Sequence, residues 1–222
     1  MWRDTMQAAR SLEFREQGIV IESAPGHPGL IALAFPWQGA AAQASMMGDS
    51  ATFVPFIGIC RDTEGGRVRI TNSGRARITY RISERDMSTA RSALVKLATL
   101  ARAAGAQRVL ALSTPAAWHE ISADDGAGWD AYLGRLANFD FAPNRATVFS
   151  AHQMGTARAG ADPRTSATDP FGRVRRDDRG AVVEGLYVGD ASLFPTAVGV
   201  NPMVTVMALA ARVARAINQD LG

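Results

Sequence analysis

Lysine, cysteine and histidine are scarce in this chain of 222 residues, and each scarcity excludes something. Cys60 is the single cysteine, so neither an intrachain disulfide nor a thiolate-rich metal cluster can form. The only histidines, His27, His119 and His152, stand far apart without H-E-x-x-H or similar spacing, and no metal site is expected. Lys96 is the only lysine. The remaining basic residues are arginines that read as scattered among acids, and a net charge of +3 argues against nucleic acid as a partner. The longest mostly apolar run, residues 30–37, falls far short of the ~20 residues of a membrane span. Met1-Trp2-Arg3-Asp4 lacks the basic start and apolar stretch of a signal peptide, so a cytoplasmic protein is expected.

What is present suits a folded chain: 47% hydrophobic against 20% charged residues is a globular balance, and the length allows about one and a half domains. Residues 18–22 (G-I-V-I-E) read as a strand, residues 24–29 as a turn-rich break, and residues 52–60 as an edge or bulged strand because Pro55 interrupts them. Residues 67–71 and 77–82 alternate apolar and polar around Asn72-Ser73-Gly74, which predicts a hairpin with one buried and one wet face. Ser83, three residues before Asp86, resembles a capping box, and Met87, Ala90, Leu94, Leu97 and Ala101 then share a helical face that ends at Gly105. A strand is expected at 108–112, a loop at Asp124-Asp125-Gly126 and a short helix near 129–136. Beyond residue 149 come dense Gly, Asp and Pro, a strand at 185–188 and a helix over about 202–218. The pattern predicts an α+β fold, with an antiparallel sheet and helices on one face over 1–148 and a strand and helix within 149–222.

The chemistry concentrates in that second part. His152 lies in S-A-H-Q-M-G-T and Asn201 in G-V-N-P-M-V-T, each near a glycine that lets backbone approach closely. For His152 the alternatives are a base and a histidine bonded to a neighbouring carbonyl. For Asn201, with Pro202 suited to the first helical turn, the simple reading is a helix N-cap. The helix beyond is apolar nearly all round in its first half, which predicts a buried start whose N–H groups face an anion or an electron-rich ligand.

Four motifs carry a resemblance. H-Q-M-G-T (152–156), D-P-F-G-R-V (169–174), G-L-Y-V-G-D-A-S-L-F-P-T (185–196) and V-G-V-N-P-M-V-T-V-M-A-L-A (198–210) resemble, in order, the glucose-methanol-choline (GMC) oxidoreductase family. Upstream, Pro36-Trp37, the segment from Arg61-Asp62 to Arg67-Val68, and Tyr80-Arg81-Ile82-Ser83 are similar to the substrate domain of its long-chain-alcohol and cholesterol oxidases. The resemblance implies an FAD-dependent enzyme that oxidises an alcohol to a carbonyl. His152 would be the base and Asn201 would hold the same oxygen, while Asp190, Ala191, Pro202, Met203 and Thr205 would lie near the flavin. The competing reading of Asp190 is a turn cap. The family's G-x-G-x-x-G is nowhere in the sequence; Gly126-Ala127-Gly128 is followed by Trp129, Asp130 and Ala131. The resemblance therefore implies a GMC-type substrate-binding domain over 1–148. Residues 149–222 would complete an FAD-binding α/β domain, the chain being either a truncated gene product or a subunit whose nucleotide-binding fold comes from a companion chain. An exposed apolar patch on the returning helix, and with it a homo-oligomer, is also expected. The alternative is a non-catalytic remnant or interaction module that keeps the fold without FAD.

Overall fold

The computed structural model describes residues 9–121 and 126–222. In chain order the elements are β1 (Arg10–Ser11), β2 (Ile19–Ser23), α1 (Pro28–Ala34), α2 (Ala40–Gly48), β3 (Phe56–Cys60), β4 (Arg67–Ile70) and β5 (Ala76–Thr79). They are followed by α3 (Glu84–Ala103), β6 (Arg108–Ala111), β7 (Ala117–Glu120), α4 (Ala127–Ala137), β8 (Arg173–Arg175), β9 (Val182–Tyr187) and α5 (Met203–Leu221). The fold is mixed α+β with antiparallel sheets, and it divides into two compact units. One is the described part of Met1–Cys60 with Ser83–Phe149; the other is Arg61–Ile82 with Ser150–Gly222. The β4–β5 hairpin thus belongs with the C-terminal residues. Among the described residues no helix is long and apolar enough to cross a membrane.

The first unit is not built on one sheet with helices on one face, as the sequence suggested. Strands β1, β2 and β3 form one antiparallel sheet, and β6 and β7 form another. The reason lies in β6 and β7, which are apolar on both faces. Val109, Ala111 and Ala117 pack with Trp129, Tyr132 and Leu136 of α4 and Ala98 of α3. On the opposite face Leu110 and Trp118 pack with Ile31, Phe35 and Met46 of the α1–α2 region. Period-2 alternation of two apolar sets lets a two-stranded ribbon take helices on both sides.

β2 is the central strand of its sheet, flanked by β1 and by β3 at the edge, and Ile19, Val20, Ile21 and Glu22 are all buried. Pro55 lies just before β3 rather than within it, so the ladder needs no N–H from it. The break at 24–29 ends sooner than its composition suggests. His27 Nδ1 accepts a hydrogen bond from Gly29 N at 3.0 Å, Pro28 takes the first helical position, and α1 begins there.

Helix α3 starts as its sequence predicts, with Ser83 Oγ accepting from Asp86 N at 3.1 Å. It ends with Ala106 N donating to Ala101 O at 3.0 Å, past Gly105. Its apolar arc is wider than a single stripe because it serves two cores. Ala93 and Leu97 pack on Ile19 and Ile21, whereas Leu94, Val95 and Ala98 pack on the α4 cluster. Closeness on the first side depends on small residues: a Cβ on Gly58 would stand 3.0 Å from Ala93 Cβ.

Helix α4 buries Trp129, Tyr132 and Leu136, and full burial of a side chain of this size contributes about 1.5–3 kcal/mol. Tyr132 stacks on His119 with centroids 4.9 Å apart and donates its hydroxyl to Ala117 O at 3.3 Å; burial pushes its pKa up to about 12. Of the loop expected before this helix, Asp124 and Asp125 lie outside the described residues.

Removing the α3 cap tests this account of the first unit. Ser83→Ala should destabilise it by about 1 kcal/mol in urea unfolding with an unchanged slope. A loss below roughly 0.2 kcal/mol, the noise of such a measurement, would show that the cap does not hold the helix start.

Candidate active site

His152 is half-buried in an irregular segment that backbone hydrogen bonds fasten to the turn after Asp190. Gly155 N donates to Ala191 O at 3.1 Å, Ala157 N to Ser192 O at 3.0 Å and Ala159 N to Leu193 O at 2.9 Å. The other side of the zipper is a single 3-10 turn, Ala191–Leu193, followed by Phe194; Leu193 and Phe194 are buried. Two motifs well separated in the sequence, one at Gly155 and the other at Ala191, are thus adjacent backbones. His152 lies just before the zipped stretch, and no hydrogen bond to its ring is formed among the described residues.

Asp190 caps this turn. Its Oδ1 accepts from Ser192 N at 2.8 Å, and hydrogen bonds from Ser192, side chain first and backbone second, hold the carboxyl below its ordinary range. The carboxylate therefore has the turn-capping role that sequence alone left open, and Ala191 beside it is half-buried.

Asn201 follows a loop held by Arg61, which the sequence marks only as the start of a segment similar to the family's substrate domain. Arg61 Nε donates to Ala197 O at 3.0 Å. Gly199 has φ +71°, and a Cβ there would stand 2.9 Å from Arg61 Cβ and 3.2 Å from its Cγ and Cδ. The arginine stem thus lies flat along a turn only glycine can make without strain. The expected Asn201 N-cap is not formed. Pro202 occupies the cap position in αR conformation (φ −88°, ψ −4°), α5 begins at Met203, and the proline side chain offers no cap hydrogen bond. Residues before proline disfavour the α region, which keeps Asn201 outside the helix and exposed. No hydrogen bond links His152 to Asn201 among the described residues.

The start of α5 is exposed, not buried as its composition suggested: Met203, Val204 and Met207 are 65%, 70% and 56% exposed, and Thr205 is exposed as well. Burial falls at the other end, on Val213 and Ala216. That end is clamped. Arg173 donates two hydrogen bonds to Asp220, from Nε and one terminal nitrogen at 2.6 Å each, and a third to Asp169 at 3.1 Å. Tyr187 of β9 donates its hydroxyl to Asp220 at 2.5 Å. Asp169 also accepts from Phe171 N and Arg173 N, so D-P-F-G-R is a closed turn carrying the clamp. Gly172 (φ +82°) in that turn lets the helix in: a Cβ would stand 2.6 Å from Val188 O and 2.7 Å from Val213 Cγ2. Asp169 and Gly172 were legible as a motif. Asp220 was not, because its partners lie 47 and 33 residues away.

The residues of these motifs fall within a match to the family model described as GMC oxidoreductase, which covers residues 62–210. The chain belongs to the GMC oxidoreductase family, as its C-terminal domain, and is related to the long-chain-alcohol-oxidase branch. It is 27% identical over 192 residues to a long-chain-alcohol oxidase of Arabidopsis thaliana, a stretch of 86% of this chain and 25% of that protein. A GMC-type oxidoreductase of Mycobacterium tuberculosis (strain ATCC 25618 / H37Rv) is 32% identical over 214 residues, 96% of this chain and 31% of its own. The 6'''-hydroxyparomomycin C oxidase of Streptomyces lividus is 41% identical over 81 residues, 35% of this chain and 14% of its own. The chain thus spans between a quarter and a third of the first two of these relatives.

The clamp predicts a pH dependence. Arg173, then Tyr187, hold the Asp220 carboxyl at about 2, below its ordinary value, so its contribution is complete above pH ~4 and is lost as pH falls through about 2. Tyr187 is shifted the other way, chiefly by its hydrogen bond to Asp220. Its contribution is complete below pH ~10 and is lost as pH rises through the raised value. Denaturant unfolding of the wild type and Asp220→Asn should differ at pH 7 and converge toward pH 2. A difference independent of pH would contradict the clamp.

Proposed function

We propose that this chain is the substrate-handling C-terminal portion of an FAD-dependent oxidoreductase that converts an alcohol CH–OH group to a carbonyl, with a long-chain alcohol as the substrate class. The carrying observation is the backbone zipper that sets the His152 segment against Asp190–Leu193, with no hydrogen bond to the imidazole among the described residues. Family membership and the names of the long-chain-alcohol oxidases support the substrate class.

In this reading the His152 imidazole accepts the alcohol proton, a task for which imidazole is suited near neutral pH. The Asn201 side chain donates an amide N–H to the same oxygen and fixes its position. Asparagine cannot take the proton, so proton transfer rests on His152. FAD, when bound, supplies the two-electron acceptor for the carbon.

The chain fits the flavin end of that cofactor. The first turn of α5 is led by Pro202, which offers no side-chain cap, and exposes Met203 and Val204, an arrangement that can meet a flat, mostly apolar ring with an electron-rich edge. Pro202, Met203 and Thr205 would line it from this side, with Asp190 and Ala191 from the zipped turn. For the dinucleotide end the sequence has no G-x-G-x-x-G. We assign that end to a nucleotide-binding fold supplied by a companion segment or chain.

Two measurements test the reading. Equilibrium dialysis of the purified chain with FAD should retain little flavin, and stoichiometric tight binding would overturn the need for a companion. In the completed enzyme, His152→Ala should slow flavin reduction by about a hundred- to ten-thousand-fold with a much smaller change in substrate KM. An unchanged reduction rate would remove His152 from proton transfer.

A further inference from the structure

Between Gly65 and Ser83 the sequence holds Arg67, Arg69, Arg75, Arg77 and Arg81 and no acidic residue. The whole chain is +3 and this window is +5, so all other residues together are net −2. Charge that looked scattered along the sequence is therefore concentrated on the β4–β5 hairpin.

Strand register sorts it further. Val68 pairs with Ile78 and Ile70 with Ala76, while Arg67 pairs with Thr79 and Arg69 directly opposes Arg77. Because successive side chains point to opposite faces, the ribbon has one apolar face and one arginine face. The apolar face is not buried, contrary to the alternation of the sequence: Val68, Ile70 and Ile78 are 45%, 71% and 72% exposed, and Tyr80, next on that face, is 52% exposed with its hydroxyl donating to Asp62 Oδ2 at 3.3 Å. On the arginine face, Arg67, Arg69, Arg77 and Thr79 line a groove of ≈ 290 Å³. Like charges directly opposed across a strand pair weaken it, and an apolar face left in water adds no stability. Neither feature helps the hairpin as a lone element.

The ribbon is nonetheless held in shape. Thr71 N donates to Arg75 O at 2.9 Å, Arg75 N to Thr71 Oγ1 at 3.1 Å, and Gly74 N to Thr71 O at 2.9 Å. It is a preformed two-faced element.

We propose that the β4–β5 hairpin is a docking element for an anionic lipid surface. Val68, Ile70, Ile78 and Tyr80 enter the boundary between headgroups and acyl chains, and the arginines of the other face lie among the lipid phosphates. This is the arrangement of an interfacial amphipathic helix carried out by a strand pair, with an aromatic residue on the apolar side. An acidic protein would match the arginines but offers no apolar layer running beneath a charged one, so the lipid surface fits both faces at once. This assignment is independent of the roles given to His152 and Asn201.

Flotation of the purified chain with vesicles tests it. Vesicles of phosphatidylcholine with phosphatidylserine should carry the wild type upward at low salt, and phosphatidylcholine alone should carry far less. High salt should release it. Each basic residue near an anionic surface is worth about fivefold in partitioning, so Arg69→Glu/Arg77→Glu should lose more than tenfold. Ile70→Ser/Ile78→Ser should also weaken binding, because the apolar face enters the boundary. All four positions are exposed, and circular dichroism checks folding; the salt response of the wild type needs no variant at all. Binding that ignores salt and lipid charge, or that survives the charge reversal in a folded variant, would overturn the proposal. So would failure to float combined with retention on immobilised polyglutamate, which would assign the surface to an acidic protein.

Discussion

The arrangement of the second unit depends on Arg173. A planar guanidinium can satisfy two carboxylates at once, and here it joins Asp169 in the turn before β8 to Asp220 near the end of α5. Around that pairing the other contacts close. Tyr187 donates to the same Asp220, Val213 enters the space left by Gly172, and Arg212 lies over the Phe171 ring with its guanidinium carbon 4.9 Å from the centroid. The consequence is an asymmetric helix, fixed at its C-terminal half and open at the half that begins beside Asn201.

That asymmetry changes the meaning of an apolar helix start. Composition alone predicts that Met203, Val204 and Met207 are buried, since water around them is unfavourable. In this chain the burial is provided by the far end, and the apolar start is left to meet something else. The two loops that bring the family's motifs to this region are each held at their backbone groups, one by backbone and one by an arginine side chain. The 155–159 stretch is zipped to 191–193, and Ala197 is pinned by Arg61. Positions are thus set by short-range hydrogen bonds that do not depend on the chemistry of the side chains they present.

Much of this was legible in the sequence, and the exceptions have physical causes. Ser83 and Gly105 marked α3, Asn72-Ser73-Gly74 marked the hairpin, and the four motifs marked the family, because these signals are local. Helices α1 and α2 were not foreseen. A start at His27-Pro28-Gly29 looks like a loop until the histidine is seen accepting from Gly29 N. The single expected sheet became several because Leu110 and Trp118 bury the face of β6–β7 that alternation would leave wet. Asn201 was one residue too early for the cap, the contact of Arg61 with Ala197 spans 136 residues and leaves no local signal, and the arginines of the hairpin concentrate across the strand register rather than along the chain.

The central claim is that α5 is anchored by one end only. Hydrogen exchange of the isolated chain measures this directly. The account predicts amides of 213–217 protected at least about a hundredfold more than those of 206–209, since the first group lies in the clamped half and the second in the open half. Uniform protection along the helix would contradict it.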